Sequence, residues 1–447
     1  MVFSTGGALA GLAIAIVLIV RKVTPAYALP LGALAGGLLG GGGLAATVSA
    51  MISGTQSMMP SVLRILASGV LVGALVKTGS AAKIADAVVA GLGTRFALVA
   101  VALAAMIVTS VGVFVDIAVI TVAPVALAVG RKADLPVPAL LLAMIGGGKA
   151  GNVISPNPNT IAVAEAFKLD LTTVIAANIV PAAVALVVTV LLASWLARRA
   201  GRSSRTSSSN EASSSSQASA SSPTSSSSLA SASSPARQAS DTASSSPALV
   251  QALLGPLTVV GLLSLRPLCG LVVDPLVALP AGGLVSILVC GRYRETVACS
   301  EYGLSKVIGV SILLIGTGTI AGIVKGSGLN GDMIRLLNAC HLPVFALAPL
   351  SSLLLSGATA STTAGVTIAS QAFSGTLLAA GIPAVSAAAM LHAGGTVFDA
   401  LPHGSFFHAT AGAVGMSVKD RLKLFPFGTL VGATSTVVSV IVYLCQR

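Results

Sequence analysis

The stretch "GGGKAGNVISPNPNT", Gly146–Thr160, interrupts one of many long apolar runs in this chain. Four glycines, a lysine, three asparagines and two prolines would break an ordinary membrane helix. Irregular backbone at membrane depth persists only where protein buries it or where it lines a polar cavity. The stretch is therefore expected to be a helix interruption. Asn152, Ser155, Asn157, Asn159 and Thr160 are the side chains it offers to a ligand. It is not a phosphate-binding loop, because Ala143 stands at the first glycine position and Ala150 follows Lys149 where Ser or Thr is needed.

Composition supports a membrane setting. Of 447 residues 55% are hydrophobic and 9% charged, against about 25% charged in soluble domains. Apolar runs such as Gly6–Val20, Thr172–Leu196, Lys306–Ile323 and Leu430–Leu444 recur along the chain, near the ~20 residues that span a bilayer. The net charge of +12 lies between these runs without interleaved aromatics, so it reads as topology and not as a nucleic-acid footprint. The five cysteines are scattered and imply neither a disulfide framework nor a zinc site. The first apolar run is read as a retained helix, because Arg21 and Lys22 follow it and no basic residue precedes it.

The chain is duplicated. "ALPLGALAGGLL" (Ala28–Leu39) parallels "ALPAGGLVSILV" (Ala278–Val289), and "ALVKTGS" (Ala74–Ser80) parallels "GIVKGSG" (Gly322–Gly328). Phe96 aligns with Phe345, Met144 with Met390 and Pro156 with Pro402, at nearly constant separation. Residues 1–201 form one repeat and 248–447 the other. Between them 202–247 is so serine-rich that it is expected to be a disordered cytoplasmic linker. With the N-terminus outside and about five spans plus one re-entrant hairpin per half, most basic residues fall inside, while Arg64 falls outside. An odd number of crossings inverts the second copy, which is a transporter architecture with its site near the midplane. The glycines from Gly32 to Gly43 are expected to serve close helix packing.

A second interruption matches the first: "LHAGGTVFDALPHGSFFH", Leu391–His408, with His392, His403, His408 and Asp399. The spacing fits no zinc pattern, so no metal is expected. Proton relay or substrate hydrogen bonding is the functional reading, and plain interface packing is the alternative for each histidine. Two further matched segments, "TSVGVFVD" (Thr109–Asp116) and "SGATASTTAG" (Ser356–Gly365), read as tips of re-entrant hairpins. Thr359, Ser361, Thr362 and Thr363 are candidate substrate contacts there. Asp116 is either a protonatable coupling residue or a hydrogen-bonded structural acid. Lys149 is either a countercharge for an anionic substrate or half of a permanent salt bridge to Asp116 or Asp399. Glu165 is expected at the aqueous mouth. No enzyme motif of the G-x-S-x-G or HExxH kind occurs, and no cofactor is expected.

On "GNVISPNPNTIAVAEAF" (Gly151–Phe167) and "HAGGTVFDALPHGSFFHATAGAVGMSVKDRLKLFPF" (His392–Phe427), the chain resembles the gluconate permease (GntP) family of proton-coupled carboxylate symporters. The resemblance implies an all-α polytopic membrane protein of the ion-transporter type, built of two inverted repeats in a plasma membrane. It implies uptake of gluconate or a related small hydroxy monocarboxylate. Lys149, Asn152, Ser155, Asn157, Asn159, Thr160, Thr359, Ser361, Thr362, Thr363 and His403 would then bind substrate, and Asp116, Asp399 and His392 would carry the proton. Where gluconate permeases commonly read Gly-Ser-Ala-Thr-Val-Ala, this chain has "SGATASTTAG". That departure leans toward 3-hydroxybutyrate permeases and keeps other organic anions, sodium coupling and an anion channel as alternatives. The expected partners are a small organic anion, protons and the lipid bilayer, with a homodimer left open.

Overall fold

A computed structural model describes residues 2–21, 23–211, 247–329, 331–332, 335, 339, 343–402 and 404–446. The element order of the first half is α1 Thr5–Val20, α2 Pro25–Leu39, α3 Leu44–Gln56, α4 Met59–Lys77, α5 Ser80–Leu92, α6 Ala97–Ser110, α7 Val115–Lys132, α8 Val137–Asn152, α9 Pro158–Ala166, α10 Leu171–Ala177 and α11 Ile179–Glu211. The second half has α12 Leu249–Cys269, α13 Pro275–Val289, α14 Thr296–Lys325, α15 Leu347–Thr359, α16 Thr362–Ala379, α17 Ala384–Gly394, α18 Ser405–Ala413, α19 Val418–Lys423 and α20 Phe425–Cys445. The serine-rich segment, expected as a linker from residue 202, is helical as far as Glu211, and residues 212–246 lie outside the described residues.

Met59–Lys77, Ile179–Ala200, Tyr293–Lys325 and Val418–Cys445 are each long and apolar enough to cross a bilayer. Ser80–Leu92 with Thr94–Ser110 forms a pair bent by 104°. Many of the remaining helices are shorter. The 16 residues of α8 rise about 24 Å and the nine of α9 about 14 Å, so neither leg alone crosses ~30 Å of hydrocarbon.

Glycine lets backbones touch where the chain needs it. A Cβ on Gly36 would lie 2.7 Å from the Gly11 Cα, which accounts for the close pairing of α1 with α2. A Cβ on Gly54 would meet Gly318 O at 2.1 Å, and one on Gly73 would meet Cys299 O at 1.9 Å. Those two contacts make α3–α4 antiparallel to α14, its counterpart in the duplicated order. Two faces can then be named. Gly40 O accepts from Ser4 N at 2.8 Å and Gly326 O accepts from Val2 N at 3.1 Å, which gathers the ends of α2 and α14. On the other face Arg292 Nη1 donates to Lys77 O at 3.0 Å, which gathers the ends of α4 and α13. The start of α2, after Arg21, is thus on the second face and the start of α13 on the first. Contacts between halves are reciprocal: α9 packs on α16 and α18 on α7, with α11 against α20.

Candidate functional site

The first interruption is a five-residue turn, 153–157, closed by its own polar groups. Asn157 Oδ1 caps α9 by accepting from Asn159 N (2.9 Å) and Thr160 N (3.2 Å). Its Nδ2 donates to Asn152 O at 2.9 Å and to Asn152 Oδ1 at 2.6 Å. Thr160 Oγ1 donates to Ser155 O at 2.6 Å, and Ser155 Oγ to Thr109 O at 2.7 Å, tying the turn to the tip of the α6–α7 hairpin. Buried backbone carbonyls released by the break are satisfied in this way. Behind it α8 presses on α6 without intervening side chains: a Cβ on Gly147 would lie 2.0 Å from Ala102 O, and one on Gly151 2.4 Å from Met106 O. Gly147, Gly151 and Asn157 therefore serve one purpose, a broken helix held against a hairpin.

The α15–α16 hairpin turns at Ala360, whose φ of 46° is left-handed. The second interruption meets this tip at Gly404, where a Cβ would sit 2.4 Å from Ala360 O. Thr362 Oγ1 donates to Asp399 Oδ2 at 2.7 Å. The two interruptions also meet each other. Lys149 Nζ lies 2.7 Å from Asp399 Oδ1 and donates to Thr396 O at 2.6 Å and Gly428 O at 3.1 Å. Both side chains are buried.

A cavity of about 820 Å³ opens beside this junction. Asp116, Asn152, Asn159, Thr359, Ser361, Thr362, Thr363 and Asp399 line it, as the sequence leads one to expect, and all four interrupted segments contribute. Asn159 Oδ1 has no protein partner. Asp116 starts α7 and accepts from Ile117 N at 2.9 Å. The cavity's mouth includes Thr24–Tyr27 and Lys306, on the face that carries Lys77 and Arg292.

Other expected site residues fall elsewhere. Ser155, Asn157 and Thr160 are buried in the turn and do not line the cavity, because the freed backbone claims them. Lys149 sits behind Asp399, so the permanent-salt-bridge alternative describes its present partner. His392 is fully buried with neither ring nitrogen bonded, and lies off the cavity wall. His403 lies outside the described residues. Glu165 pairs with Arg64.

Arg421 is the residue that sequence reading misplaces. In the run "KDRLK" it counts as one more cytoplasmic charge, and its neighbours Lys419 and Lys423 are indeed exposed. Arg421 itself is buried, 5.0 Å from the centroid of the Phe407 ring, with Nε donating to Thr410 Oγ1 at 3.3 Å and Nη2 unbonded. It interacts electrostatically with Asp399 and Lys149. Behind the cavity the protein thus buries two cations and one carboxylate. Phe407 and Thr410 lie on α18 and Arg421 on α19, so no local spacing in the sequence marked this contact.

Comparison with known proteins extends these observations. A family model described as GntP family permease matches residues 6–446. A protein of Haemophilus influenzae named as an uncharacterized transporter is 47% identical over 437 residues, covering 98% of this chain and 97% of its own. A second protein of that organism, named as an uncharacterized permease, is 26% identical over 196 residues, 43% of this chain and 40% of its own. The crystal structure of the Alcanivorax borkumensis YdaH transporter, described as having an unusual topology, superposes with a TM-score of 0.61 at 15% identity, covering 89% of this chain and 88% of that one. That similarity concerns the fold.

Proposed function

The chain belongs to the GntP permease family and is a multi-pass membrane transporter rather than an enzyme; from that premise we propose that it is a secondary symporter carrying gluconate, or a related small hydroxy monocarboxylate, together with a proton. The observation that carries this reading is the buried Lys149–Asp399–Arg421 cluster behind a hydroxyl- and amide-lined cavity. A carboxylate leaving water for such a site needs an opposite charge and hydrogen-bond donors. The cluster has one more cation than anion. The threonines, Ser361, Asn152 and Asn159 match the donors and acceptors of a hydroxylated carbon chain.

Coupling follows from the same cluster. Lys149 is engaged with Asp399 while the latter is ionised. Protonating Asp399 removes that partner and leaves the ammonium for the substrate carboxylate. Proton and anion then enter together with no net change of buried charge, so each favours the other's binding. Asp116, on the same wall and near Lys306, is the second candidate for the proton. The mouth faces the side richer in Lys and Arg, which corresponds to the cytoplasm, and substrate release would occur there. The two halves are read as inverted repeats whose hairpins and broken helices move against the rest.

Counterflow of labelled gluconate and of 3-hydroxybutyrate in proteoliposomes tests the carrier and its substrate class. Trans-stimulated exchange of either acid is the expected result. Exchange of neither, with no hydroxy acid competing, overturns the substrate reading. Uptake driven by a sodium gradient and indifferent to a pH gradient overturns the proton. Asp399→Asn is expected to abolish uphill uptake yet retain exchange; the same pattern in Asp116→Asn alone would move the proton to Asp116.

A further inference from the structure

A second cavity, about 230 Å³, lies on the face opposite the open mouth. It corresponds to the large one through the duplication. Asp274 and Pro275 border it where α13 begins, as Thr24 and Pro25 border the large cavity where α2 begins. Ile161 and Ala164 of α9 line it, as Ser405 and Phe406 of α18 line the other.

The two cavities differ in one interaction. Across the small cavity Arg64 of α4 holds the Asp274 carboxylate with both arms, Nε to Oδ1 at 3.0 Å and Nη2 to Oδ2 at 2.8 Å. Its Nη1 bonds Glu165 at the end of α9. Among the described residues no such ion pair spans the open side. By the repeat register Arg64 matches Ile312, Asp274 matches Thr24 and Glu165 matches Ala411. The triad therefore clamps α4 and α13 to the outer leg of the broken helix, the leg whose first turn carries the cavity residue Asn159. Bidentate pairing makes the contact directional. All three side chains keep some contact with water, at 27%, 26% and 43% exposure for Arg64, Glu165 and Asp274, so separating them does not strand a charge in an apolar core.

We propose that Arg64, Glu165 and Asp274 form an outer latch, which holds the external vestibule shut while the cavity is open to the cytoplasm and must part before substrate enters from outside. The inference rests on the transport reading of the large cavity, but its test needs no substrate. In a chain whose cysteines are replaced by serine, Ala164→Cys reports the small cavity through a membrane-impermeant maleimide added outside. Labelling is expected to be slow in the parent and several-fold faster with Arg64→Gln or with Asp274→Asn, which keeps the arginine. The exchanged pair Arg64→Asp with Asp274→Arg is expected to return labelling toward the parent rate. Equal labelling in the parent and both single variants, or labelling only from the cytoplasmic side, overturns the latch. Faster labelling in a protein that carries no hydroxy acid would leave the latch standing and remove only the substrate.

Discussion

Lys149 and Asp399, 2.7 Å apart and both buried, join the broken helix of one repeat to the interrupted segment of the other. Lys149 is buried behind Asp399 and leans on it and on the Thr396 and Gly428 carbonyls, while Asp399 also meets the cavity and Thr362. Removing one partner of a buried pair costs about 3–5 kcal/mol, whereas replacing both is often neutral. Lys149→Met and Asp399→Asn are each expected to lower thermal stability in detergent by that order. The double variant should recover much of the loss without regaining transport. Strictly additive losses in the double-mutant cycle would show that the two charges are not energetically coupled.

His392 bears on the proton path. Its ring is enclosed without a polar partner and away from the cavity. His392→Leu should therefore keep both uptake and its response to a pH gradient, with at most a modest packing cost of about 1–2 kcal/mol. Loss of pH-driven accumulation with exchange preserved would place His392 in the relay.

Asn157 and Asn159, two positions apart, should separate stability from affinity. Asn157 caps α9 and bonds the Asn152 side chain and carbonyl, so Asn157→Ala is expected to cost about 1–2 kcal/mol of stability. Asn159 lines the cavity with an unbonded Oδ1 and makes one side-chain bond, Nδ2 to Asn152 Oδ1 at 3.1 Å, so Asn159→Ala should raise the KM for transport and cost less stability than Asn157→Ala. The reverse assignment of effects would argue against the cavity wall drawn here.

The outer latch has a pH signature. The Arg64 guanidinium, with which Asp274 is hydrogen-bonded, holds its carboxyl below the usual carboxylate range. A carboxylate held down in this way favours the paired form at every pH above its ordinary value, and that contribution is lost only as pH falls through the lowered one. Glu165 and Asp170 border the same cavity region from α9 and the start of α10. External labelling at Ala164→Cys, taken relative to the same cysteine in Arg64→Gln so that the titration of the thiol itself cancels, is thus expected to stay flat from about pH 8 to about pH 5, above the ordinary Asp range. A steep rise near neutral pH would mean that another group controls the opening.

Much of the architecture was legible in the residues because membranes penalise the alternatives. Polar, glycine-rich segments within two apolar halves read as interruptions, and the turns at 153–157, 360–361 and 395–402 lie where "NVISPN", "SGATAS" and "GTVFDALP" predict. The glycines at 147 and 151 were legible as breaks, though their closer purpose, backbone contact with α6, needed coordinates. Within the interruption, sequence treats Asn152, Ser155, Asn157, Asn159 and Thr160 alike. Folding divides them, because the carbonyls freed by the break must be bonded first and only the side chains left over can face the cavity.

By itself, then, the sequence determined a multi-pass helical membrane chain with interrupted apolar segments, since composition and apolar run length are local properties that do not depend on which helices meet. The tertiary structure decided who pairs with whom. Lys149 had Asp116 and Asp399 as possible partners, and the meeting of two breaks from opposite ends of the chain selected Asp399. The burial of Arg421 under Phe407 and the clamp of Arg64 on Asp274 and Glu165 are likewise contacts between distant elements. The sizes of the two cavities are decided the same way: only the packing of the assembled helices makes one about 820 Å³ and the other about 230 Å³.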